Sequence, residues 1–343
     1  MKKILNSLYI LNPDTMIGLD GENIVVQRDD EVVGRVRLHE IESINYFGYR
    51  AVSPALMESC IKHGVSLNFF RPSGRFMARA TGLQNGNVLL RRQQYRVADS
   101  ATDSLKIAKN FIIGKIYNAR WVIERTIRDH AMRVDAEALK AKSTYLKNSL
   151  SLVANAKSDA QLRGLEGEAA SVYFSVFNTM ILQQKDDFKF DSRNKRPPLD
   201  NVNALLSLTY TMLAHMCEAG LEGAGLDSYV GFFHKDRSGR KSLALDLMEE
   251  MRTCFADRFV LYLINKRIIC NDHFLKKENG SVILTDEGRK VFFTKWEERK
   301  HETLTHPFTN EKIEWGIVPH IQSMLLARYL RGDIDEYPPF FWK

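Results

Sequence analysis

Short apolar runs dominate the first 84 residues of the chain, and many of them alternate with polar residues or are rich in β-branched and aromatic side chains. The segments DGEN, RDDE and PSGR separate these runs and supply the Gly, Asp, Asn and Pro residues that turns require. The pattern therefore predicts a small β-rich domain. The runs themselves are LYIL, MIGLDGENIVVQ, EVVGRVRL, SINYFG, VSLNFF and RFMARATG.

One helix is predicted within this domain, in the segment SPALMESCIKHG. Ser53 is the expected N-cap, because its side chain can accept a hydrogen bond from the first turn. Pro54 suits the first helical position, and Gly64 can end the helix in a left-handed conformation.

The apolar period becomes helical from residue 85 onward, as in LKIAKNFIIGKIYNARWVIERTI. A polar, Pro-containing loop at 191–200 precedes a long helix for which Asp200 is the expected cap. At 343 residues the chain also exceeds the usual size of a single core. We therefore expect an α+β multidomain protein, with a β-rich domain at 1–84 and a mainly α-helical domain at 85–343.

Charge and cysteine content narrow the class of protein. The 49 Lys and Arg residues exceed the 42 Asp and Glu residues, which gives a net charge of +7 and weakly favours a polyanionic partner. The four cysteines are widely scattered and suggest reduced thiols in a cytoplasmic protein. Because no apolar run reaches about 18 residues, we expect no membrane span. The lack of a P-loop or Rossmann fingerprint argues against nucleotide-driven chemistry.

The segment HKDRSGRKSLALDLMEEMR, residues 234–252, allows two interpretations. If a helix begins near Asp246, then Asp246 and Glu249 have the spacing of a capping box. The same spacing also puts both carboxylates on one helix face. There, together with His234, they could bind a hard divalent ion such as Mg²⁺ or Mn²⁺. The residues alone leave both interpretations open.

A second acidic element, RGLEGEAASVYF, contains Glu166 between Gly164 and Gly167. Glu166 could be an acid in the first turn of a helix, where it would complement the macrodipole. The two glycines cost helix stability, up to about 1 kcal/mol for one in the interior. They are explained if the backbone at this point must approach another object closely.

Three blocks in this order, RGLEGEAASVYF, RNKRPPLDNVNALLSLTY and GFFHKDRSGRKSLALDLMEEMR, resemble the signature blocks of the CRISPR-associated protein one family. Members of that family are the metal-dependent integrases and endonucleases of CRISPR spacer acquisition. The N-terminal NYFGYRAVSPALMESCIKHGVSLNFF resembles the β domain of the family and looks most like its type I-C branch.

The resemblance implies a set of site residues. Glu166, His234 and Glu249 match the ligands of one Mg²⁺ or Mn²⁺ ion, and Asp246 matches an essential carboxylate beside them. Glu168 is close in sequence to the first ligand, but in a helix residues 166 and 168 point roughly 200° apart. The implied reaction is a transesterification, in which the 3′-hydroxyl of a DNA spacer attacks a phosphodiester of the repeat array.

The resemblance also implies partners: double-stranded DNA as spacer precursor and repeat array, a second copy of the chain bound through the β domain, and a small ferredoxin-fold second CRISPR adaptation protein. Several basic residues are candidate phosphate contacts, although a single surface cation is more often simply solvated. These candidates are Arg193, Arg196, Arg237, Arg240 and Lys241.

A different class of function is suggested by NDHFLKKENGSVILTDEGRKVFFTKW. This segment predicts a strand, an Asn-Gly turn, a second strand and a helix capped by Thr285 or Asp286, an order that resembles the wing of a winged-helix regulator. Under this alternative the chain would bind DNA without catalysis, and Glu166, His234 and Glu249 would be unrelated structural residues.

Overall fold

A computed structural model describes residues 6–29, 31–71, 76–80, 88–194 and 197–342. The chain folds into two compact units, whose order along the chain, strand-rich first and mostly helical afterwards, confirms the predicted fold class. The predicted boundary at residue 84 lies outside the described residues. The first unit comprises Met1–Asn85, Asp272–Leu275 and Ile283–Glu302, and the second comprises Gly86–Asn271, Lys276–Val282 and Thr303–Lys343.

The N-terminal segment of the first unit forms two sheets. Its strands are β1 (Ser7–Ile10), β2 (Met16–Asp20), β3 (Asn23–Arg28), β4 (Glu31–Arg37), β5 (Ser43–Tyr46), β6 (Ser66–Phe70) and β7 (Phe76–Ala80). One sheet has the order β1-β5-β6-β7, with β1, β5 and β6 parallel and β7 antiparallel. The other is the antiparallel meander β2-β3-β4, in which β4 is an edge strand.

Helix α1 (Pro54–His63) connects the parallel strands β5 and β6, as a crossover connection must. The predicted caps are confirmed, since the Ser53 side chain accepts a hydrogen bond from the Leu56 amide at 3.2 Å. Gly64 ends the helix with φ of 70°, a left-handed conformation that glycine adopts without strain. Ile24, Ile44, Leu56 and Leu67 are fully buried between α1 and the strands and belong to the core of this unit.

A later helix, Asp286–His301, also belongs to the first unit, although the sequence assigned it to the helical domain. Its Phe293 ring stacks on Tyr9 with 4.7 Å between the centroids, and Glu297 accepts a hydrogen bond from the Tyr9 hydroxyl at 2.6 Å. Thr285 caps this helix as predicted, by accepting from the Gly288 amide. The aromatic face of this helix is therefore built into the N-terminal core.

The second unit is mainly helical. Its helices are α2 (Val88–Asp99), α3 (Ala101–His130), α4 (Ala136–Ala154), α5 (Asp159–Ser175), α6 (Asn201–Gly223), α7 (Ser242–Met251), α8 (Arg258–Asn265) and, after α9 (Asp286–His301) of the first unit, α10 (Val318–Arg331). Helix α3 packs against α4, α5 and α7, and α6 packs against α7 and α10. The antiparallel strands β10 (Thr303–Thr305) and β11 (Lys312–Glu314) also belong to this unit. The paired strands β8 (Phe274–Lys276) and β9 (Val282–Leu284) belong mostly to the first unit.

Two local features of the second unit bear on function. Asp200 caps α6 as predicted, because its carboxylate accepts from the Asn203 amide at 2.8 Å. A π-helical turn, Arg252–Asp257, joins α7 to α8 without a break.

In the described part of the chain, no helix combines the length and the apolar character needed to cross a membrane.

Glu250 connects α7 to the C-terminal segment of the second unit. Its fully buried carboxylate accepts hydrogen bonds from Gln322 Nε2 at 2.7 Å, the Tyr337 hydroxyl at 2.6 Å and the Phe340 amide at 2.9 Å. Burial raises the pKa of Glu250 to about 8, even though these three hydrogen bonds act in the opposite direction. Glu250 is therefore predominantly a neutral carboxylic acid at neutral pH.

We predict that the wild-type protein loses stability relative to a Glu250→Gln variant as pH rises from about 5 to about 8. Because the pKa of Glu250 is higher in the folded than in the unfolded chain, the stability that it contributes is complete below the unfolded pKa, about 4.3, and is lost as pH rises through the folded pKa. The measurement is the difference in melting temperature between the two proteins across this range.

Glu124→Gln is the matched control for this prediction. Burial acts to raise the pKa of Glu124, but hydrogen bonds from Ser143 and Lys140 and nearby positive charge lower it overall. The stability that Glu124 contributes is therefore lost as pH falls, the opposite sense. A wild-type advantage over Glu250→Gln that does not change with pH would contradict the prediction.

Candidate active site

Asp246 lies inside α7 and not at its start, because the helix begins at Ser242. Its carboxylate, fully buried, accepts hydrogen bonds from three successive backbone amides, those of Phe232 at 2.7 Å, Phe233 at 2.9 Å and His234 at 2.8 Å. The capping-box interpretation is therefore wrong. Asp246 fixes the loop that carries His234 onto the face of α7.

The same carboxylate orients the His234 ring. Nδ1 of His234 lies 2.6 Å from Asp246 Oδ1, and the side chain is 24% exposed. A ring nitrogen that donates to a carboxylate is the usual arrangement behind a metal-binding histidine, since it fixes the tautomer and leaves Nε2 as the ligand atom. The geometry is thus that of an imidazole prepared to bind through Nε2.

Helix α5 also contacts the loop that carries His234. Arg163 donates a hydrogen bond to the Phe233 carbonyl oxygen, and its guanidinium lies 4.9 Å from the centroid of the Phe233 ring. Lys235 forms an ion pair with Asp159 at 2.5 Å. The loop is therefore held between α5 and α7, the two helices that carry the predicted acids.

Glu166 lies two turns into α5, since Ser158 caps that helix by accepting from the Gln161 amide. The interpretation of Glu166 as an acid of the first turn is therefore wrong. Gly164 and Gly167, on either side of it in sequence, are exposed, and a Cβ atom on either would meet nothing within 4 Å beyond its own helix in the described part of the chain. No contact within the described chain requires a glycine at these positions.

Lys115, from the middle of α3, brings the two predicted acidic ligands together. Its ammonium forms ion pairs with Glu166 Oε1 and, at 2.7 Å, with Glu249 Oε2. The Lys115 side chain is 8% exposed and that of Glu249 is 5% exposed, whereas Glu166 is more open at 21%. Two carboxylates from separate helices therefore approach a single cationic nitrogen.

Glu249 has a second cationic partner in Arg252, on the π-helical turn. Arg252 Nη1 lies 3.1 Å from Glu249 Oε1, and the Arg252 guanidinium stacks over the Tyr210 ring at 4.4 Å. The Tyr210 hydroxyl in turn donates to Asp257 Oδ1 at 2.5 Å. Arg252 is thus held in place by an aromatic ring that is itself anchored.

The electrostatic balance at Glu249 favours its ionised form. Burial, the largest single influence, acts to raise its pKa, but the charges of Lys115, Arg252 and His234 and the hydrogen bond from Lys115 together lower the pKa to about 2. Glu249 is therefore a carboxylate at any physiological pH.

These residues fit a hard divalent ion by their chemistry. Two carboxylates and one imidazole with a carboxylate behind it are suitable donors for Mg²⁺ or Mn²⁺, and a cationic group, the Lys115 ammonium, already lies between the carboxylates. As the structure places them, Glu166, His234 and Glu249 do not bring their ligand atoms within 4.8 Å of one another. Lys115 separates the two acids.

The predicted DNA contacts differ in their surroundings. Arg193 donates to Asn203 Oδ1 at 2.7 Å and to Ser207 Oγ at 3.0 Å, and Lys241 forms an ion pair with the buried Glu218 at 2.5 Å. Both have partners within the chain.

Two further candidates lie in the loop after His234. Arg240 is tied to that loop by hydrogen bonds to the Lys235 carbonyl oxygen and Ser242 Oγ. Arg237 is exposed and has no side-chain partner among the residues that the structure describes. The fifth candidate, Arg196, lies outside the described residues.

Sequence reasoning missed three residues of this site, namely Lys115, Arg163 and Arg252. The burial of Lys115 could have been predicted from the sequence, because it lies on the apolar stripe of α3, three residues after the buried Ile112 and four before the buried Ala119. A lysine on such a stripe needs a buried counter-charge. Arg252 follows Glu249 by three residues, a spacing at which helical side chains meet.

Comparison with known proteins identifies the family. A profile described as CRISPR associated protein Cas1 matches residues 8–298. CRISPR-associated endonuclease Cas1 2 of Rhodospirillum rubrum is 47% identical over 347 residues, and CRISPR-associated endonuclease Cas1 1 of Chlorobaculum tepidum is 43% identical over 343 residues; each alignment covers 100% of both chains. The chain therefore belongs to the Cas1 family, which confirms the family predicted from the sequence blocks.

Solved structures show a related fold. A casposase bound to its integration product has a TM-score of 0.84 at 21% identity, covering 98% of this chain and 94% of that chain. A Cas1 protein from Thermotoga maritima has a TM-score of 0.81 at 20% identity, covering 98% of this chain and 100% of that one. The alternative of a winged-helix regulator is not favoured by these relationships.

We predict that Asp246→Asn destabilises the protein and lowers its activity. An asparagine has one acceptor oxygen where Asp246 uses two, so backbone amides of the 232–234 loop lose their partner, at a cost of about 1–3 kcal/mol. The His234 ring also loses the carboxylate that orients it. Thermal unfolding and a DNA cleavage assay measure the two effects.

Asp236→Asn is the matched control, since Asp236 is an exposed acid in the same loop. That variant should behave like the wild type in both measurements. An Asp246→Asn protein with unchanged melting temperature and activity would show that the loop does not depend on this carboxylate.

Proposed function

We propose that this protein is a divalent-metal-dependent DNA endonuclease and integrase that inserts short DNA spacers into a CRISPR array by transesterification. The observation that carries the proposal is the meeting of Glu166 and Glu249 at one cation. The same two helices, α5 and α7, also hold the loop whose His234 ring is oriented by Asp246. Relatives named endonucleases, and a fold shared with a casposase bound to its integration product, support it. The N-terminal block at 45–70 supports the type I-C branch.

The proposed reaction exchanges one phosphodiester bond for another. The 3′-hydroxyl oxygen of the spacer attacks a phosphorus of the repeat and gives its proton to solvent. The P–O bond to the leaving 3′-oxygen breaks, and that oxygen takes up a proton from solvent, so that no phosphodiester bond is lost overall. A bound Mg²⁺ or Mn²⁺ ion would supply acidity to the hydroxyl and positive charge to the phosphate. Glu166, His234 and Glu249 would hold this ion.

The chain's own residues have distinct roles in this proposal. Asp246 holds the His234 ring and the backbone of its loop. The ring is therefore fixed in one orientation, with Nε2 free to act as the ligand atom. Arg252 compensates the charge of the buried Glu249. The 21% exposure of Glu166 and the 24% exposure of His234 leave a side of the site open to a phosphodiester.

Double-stranded DNA is the proposed partner. The net charge of +7 favours it, and the exposed Arg237 beside His234 is available for a phosphate contact. Gly164 and Gly167 are close to Glu166 in sequence and leave exposed, side-chain-free backbone on a neighbouring side of α5, which a DNA backbone could approach closely. These features support DNA binding along α5.

We also propose a homodimer and a second adaptation protein as partners. In the first unit, the edge strand β4 exposes Val32 at 47% and Val33 at 58%, an apolar edge that a second copy could cover. Cas6-RT-Cas1–Cas2 complexes share the fold and support a partner of the small ferredoxin-fold type. The cysteine thiols support a cytoplasmic setting.

His234→Ala should abolish cleavage and strand transfer while folding and DNA binding remain close to wild type, since the change removes one ligand from a partly open site. Glu249→Gln keeps the shape of the side chain but removes one ligand charge, so strand transfer should also collapse. The assay is strand transfer with labelled duplexes across a Mn²⁺ titration, with melting temperatures measured in parallel. Full activity of Glu249→Gln would reject the metal assignment.

Gly164→Ala and Gly167→Ala should stabilise the protein and weaken its binding to DNA. Each alanine has room for its Cβ and favours a helix over glycine by up to about 1 kcal/mol, so the melting temperature should rise. The added methyl groups should at the same time hold a phosphate backbone away from the exposed backbone of α5. Binding is measured by fluorescence anisotropy with a duplex of fixed length and salt concentration.

The matched control is Gly223→Ala at the end of α6, where a Cβ would make only ordinary contacts at 3.7 Å with the His320 ring. This variant should not weaken DNA binding. If the two α5 variants bind DNA as tightly as the wild type, then the glycines do not serve close approach of DNA.

A further inference from the structure

Lys115 occupies an unusual position for a lysine. Its side chain rises from the middle of the 30-residue helix α3, is 8% exposed, and ends between the carboxylates of Glu166 and Glu249. A buried ammonium with two acidic partners is fully compensated, whereas the two acids without it would repel each other. The position of its nitrogen is that of a cation shared by both proposed metal ligands.

Both oxygens of Glu249 are engaged in this arrangement. Oε1 faces Arg252 at 3.1 Å, and Oε2 faces Lys115 at 2.7 Å. A carboxylate oxygen can accept a hydrogen bond and still bind a metal ion, so contact with a cation does not by itself exclude metal. A divalent ion shared by Glu166 and Glu249 would, however, need the position between them that the Lys115 ammonium fills, whereas Arg252 pairs with Glu249 from another side.

The two cations differ in how firmly they are held. Arg252 is fixed by the Tyr210 ring, 4.4 Å from its guanidinium carbon, and Tyr210 is fixed by its hydrogen bond to Asp257. Lys115 carries its charge on a flexible four-carbon stem, and its only ion pairs among the described residues are those with the two acids. Lys115 is consequently the partner that can withdraw.

We propose that Lys115 is an internal counter-ion, which occupies the position of the divalent ion in the metal-free protein and withdraws from it when the ion binds. The inference rests on the proposed function, because it takes Glu166 and Glu249 as ligands. Lys115 then has two effects: it stabilises the metal-free site, and it lowers the affinity of that site for metal by competing for the same carboxylates.

The exchange also changes the charge that DNA would meet. Glu166, Glu249, Lys115 and Arg252 together are neutral in the metal-free protein, and the same four groups with a divalent ion carry a charge of +2. Because Lys115 is displaced and not lost, its charge remains in the site. Metal binding would thus convert a neutral site into one that attracts phosphate.

The test is the affinity of the Lys115→Met variant for Mn²⁺ in the absence of DNA, measured by electron paramagnetic resonance of the free ion. Removal of a competing charge at contact distance should lower the Kd for Mn²⁺ by at least about tenfold. The metal-free variant should melt at a lower temperature than the wild type, and Mn²⁺ should raise its melting temperature by more. An unchanged or weaker affinity would overturn the proposal.

Lys140→Met is the matched control, since Lys140 also forms an ion pair with a glutamate, Glu124, but outside the site. Its Mn²⁺ affinity should equal that of the wild type. Lys115→Gln also removes the positive charge, but its side chain can still donate hydrogen bonds to both acids. This variant should likewise bind Mn²⁺ more tightly than the wild type. If either Lys115 variant is unfolded without metal, refolding on addition of Mn²⁺ supports the proposal and failure to refold contradicts it.

The controls separate this inference from the proposed function. If Mn²⁺ binding to the wild type does not depend on Glu249, as judged with Glu249→Gln, then the metal site itself is wrong and the role of Lys115 fails with it. If binding depends on Glu249 but Lys115→Met binds no tighter, only the role of Lys115 is wrong.

Discussion

Two carboxylates that converge from different helices repel each other unless positive charge lies between or beside them, and the site of this Cas1 family member is organised around that constraint. Glu166 comes from α5 and Glu249 from α7, and the compensating charges come from α3 through Lys115 and from the π-helical turn through Arg252. Four elements must therefore be in place before the acids can lie together. The packing of α3 against α5 and α7 provides that arrangement.

A second set of contacts supports the first. Asp246 uses its carboxylate to hold three backbone amides and an imidazole, and so attaches the loop after residue 231 to α7. Arg163 attaches the same loop to α5. The histidine of the site thus owes its position to side chains on the two helices that carry the acids, and any change in the packing of those helices is transmitted to the imidazole.

Local features of this fold could be predicted from the sequence, and long-range ones could not. Ser53, Asp200 and Thr285 cap helices as expected, because a cap depends on three or four consecutive residues. Lys115 and Glu166 pair although they are 51 residues apart, and the sequence pattern of α3 does not predict which acid pairs with Lys115. Spacing also suggested a helix start at Asp246, since an acid three residues before a glutamate resembles a cap wherever it occurs.

The predicted site was reached through the resemblance more than through the residues alone. Glu166 and Glu249 each had an ordinary structural explanation in sequence, and only the order of three blocks favoured a common site. The assignment of α9 shows a similar limit. Its pattern shows that one face is apolar, but the choice of Tyr9 and the N-terminal core as the partner of that face depends on the tertiary fold.

The π-helical turn after α7 has a geometric consequence for the site. In a straight α-helix, residues five apart point about 140° away from each other, so that Arg252 and Asp257 would face different neighbours. A π-helical turn, with hydrogen bonds from residue i to residue i+5, brings such residues nearly into line. Arg252 can then stack on the same Tyr210 whose hydroxyl donates to Asp257. The turn inserts one extra residue into the helical repeat. A deletion within 253–256 that restored a regular helix would separate the Tyr210 ring from Arg252 or Asp257 without altering either residue.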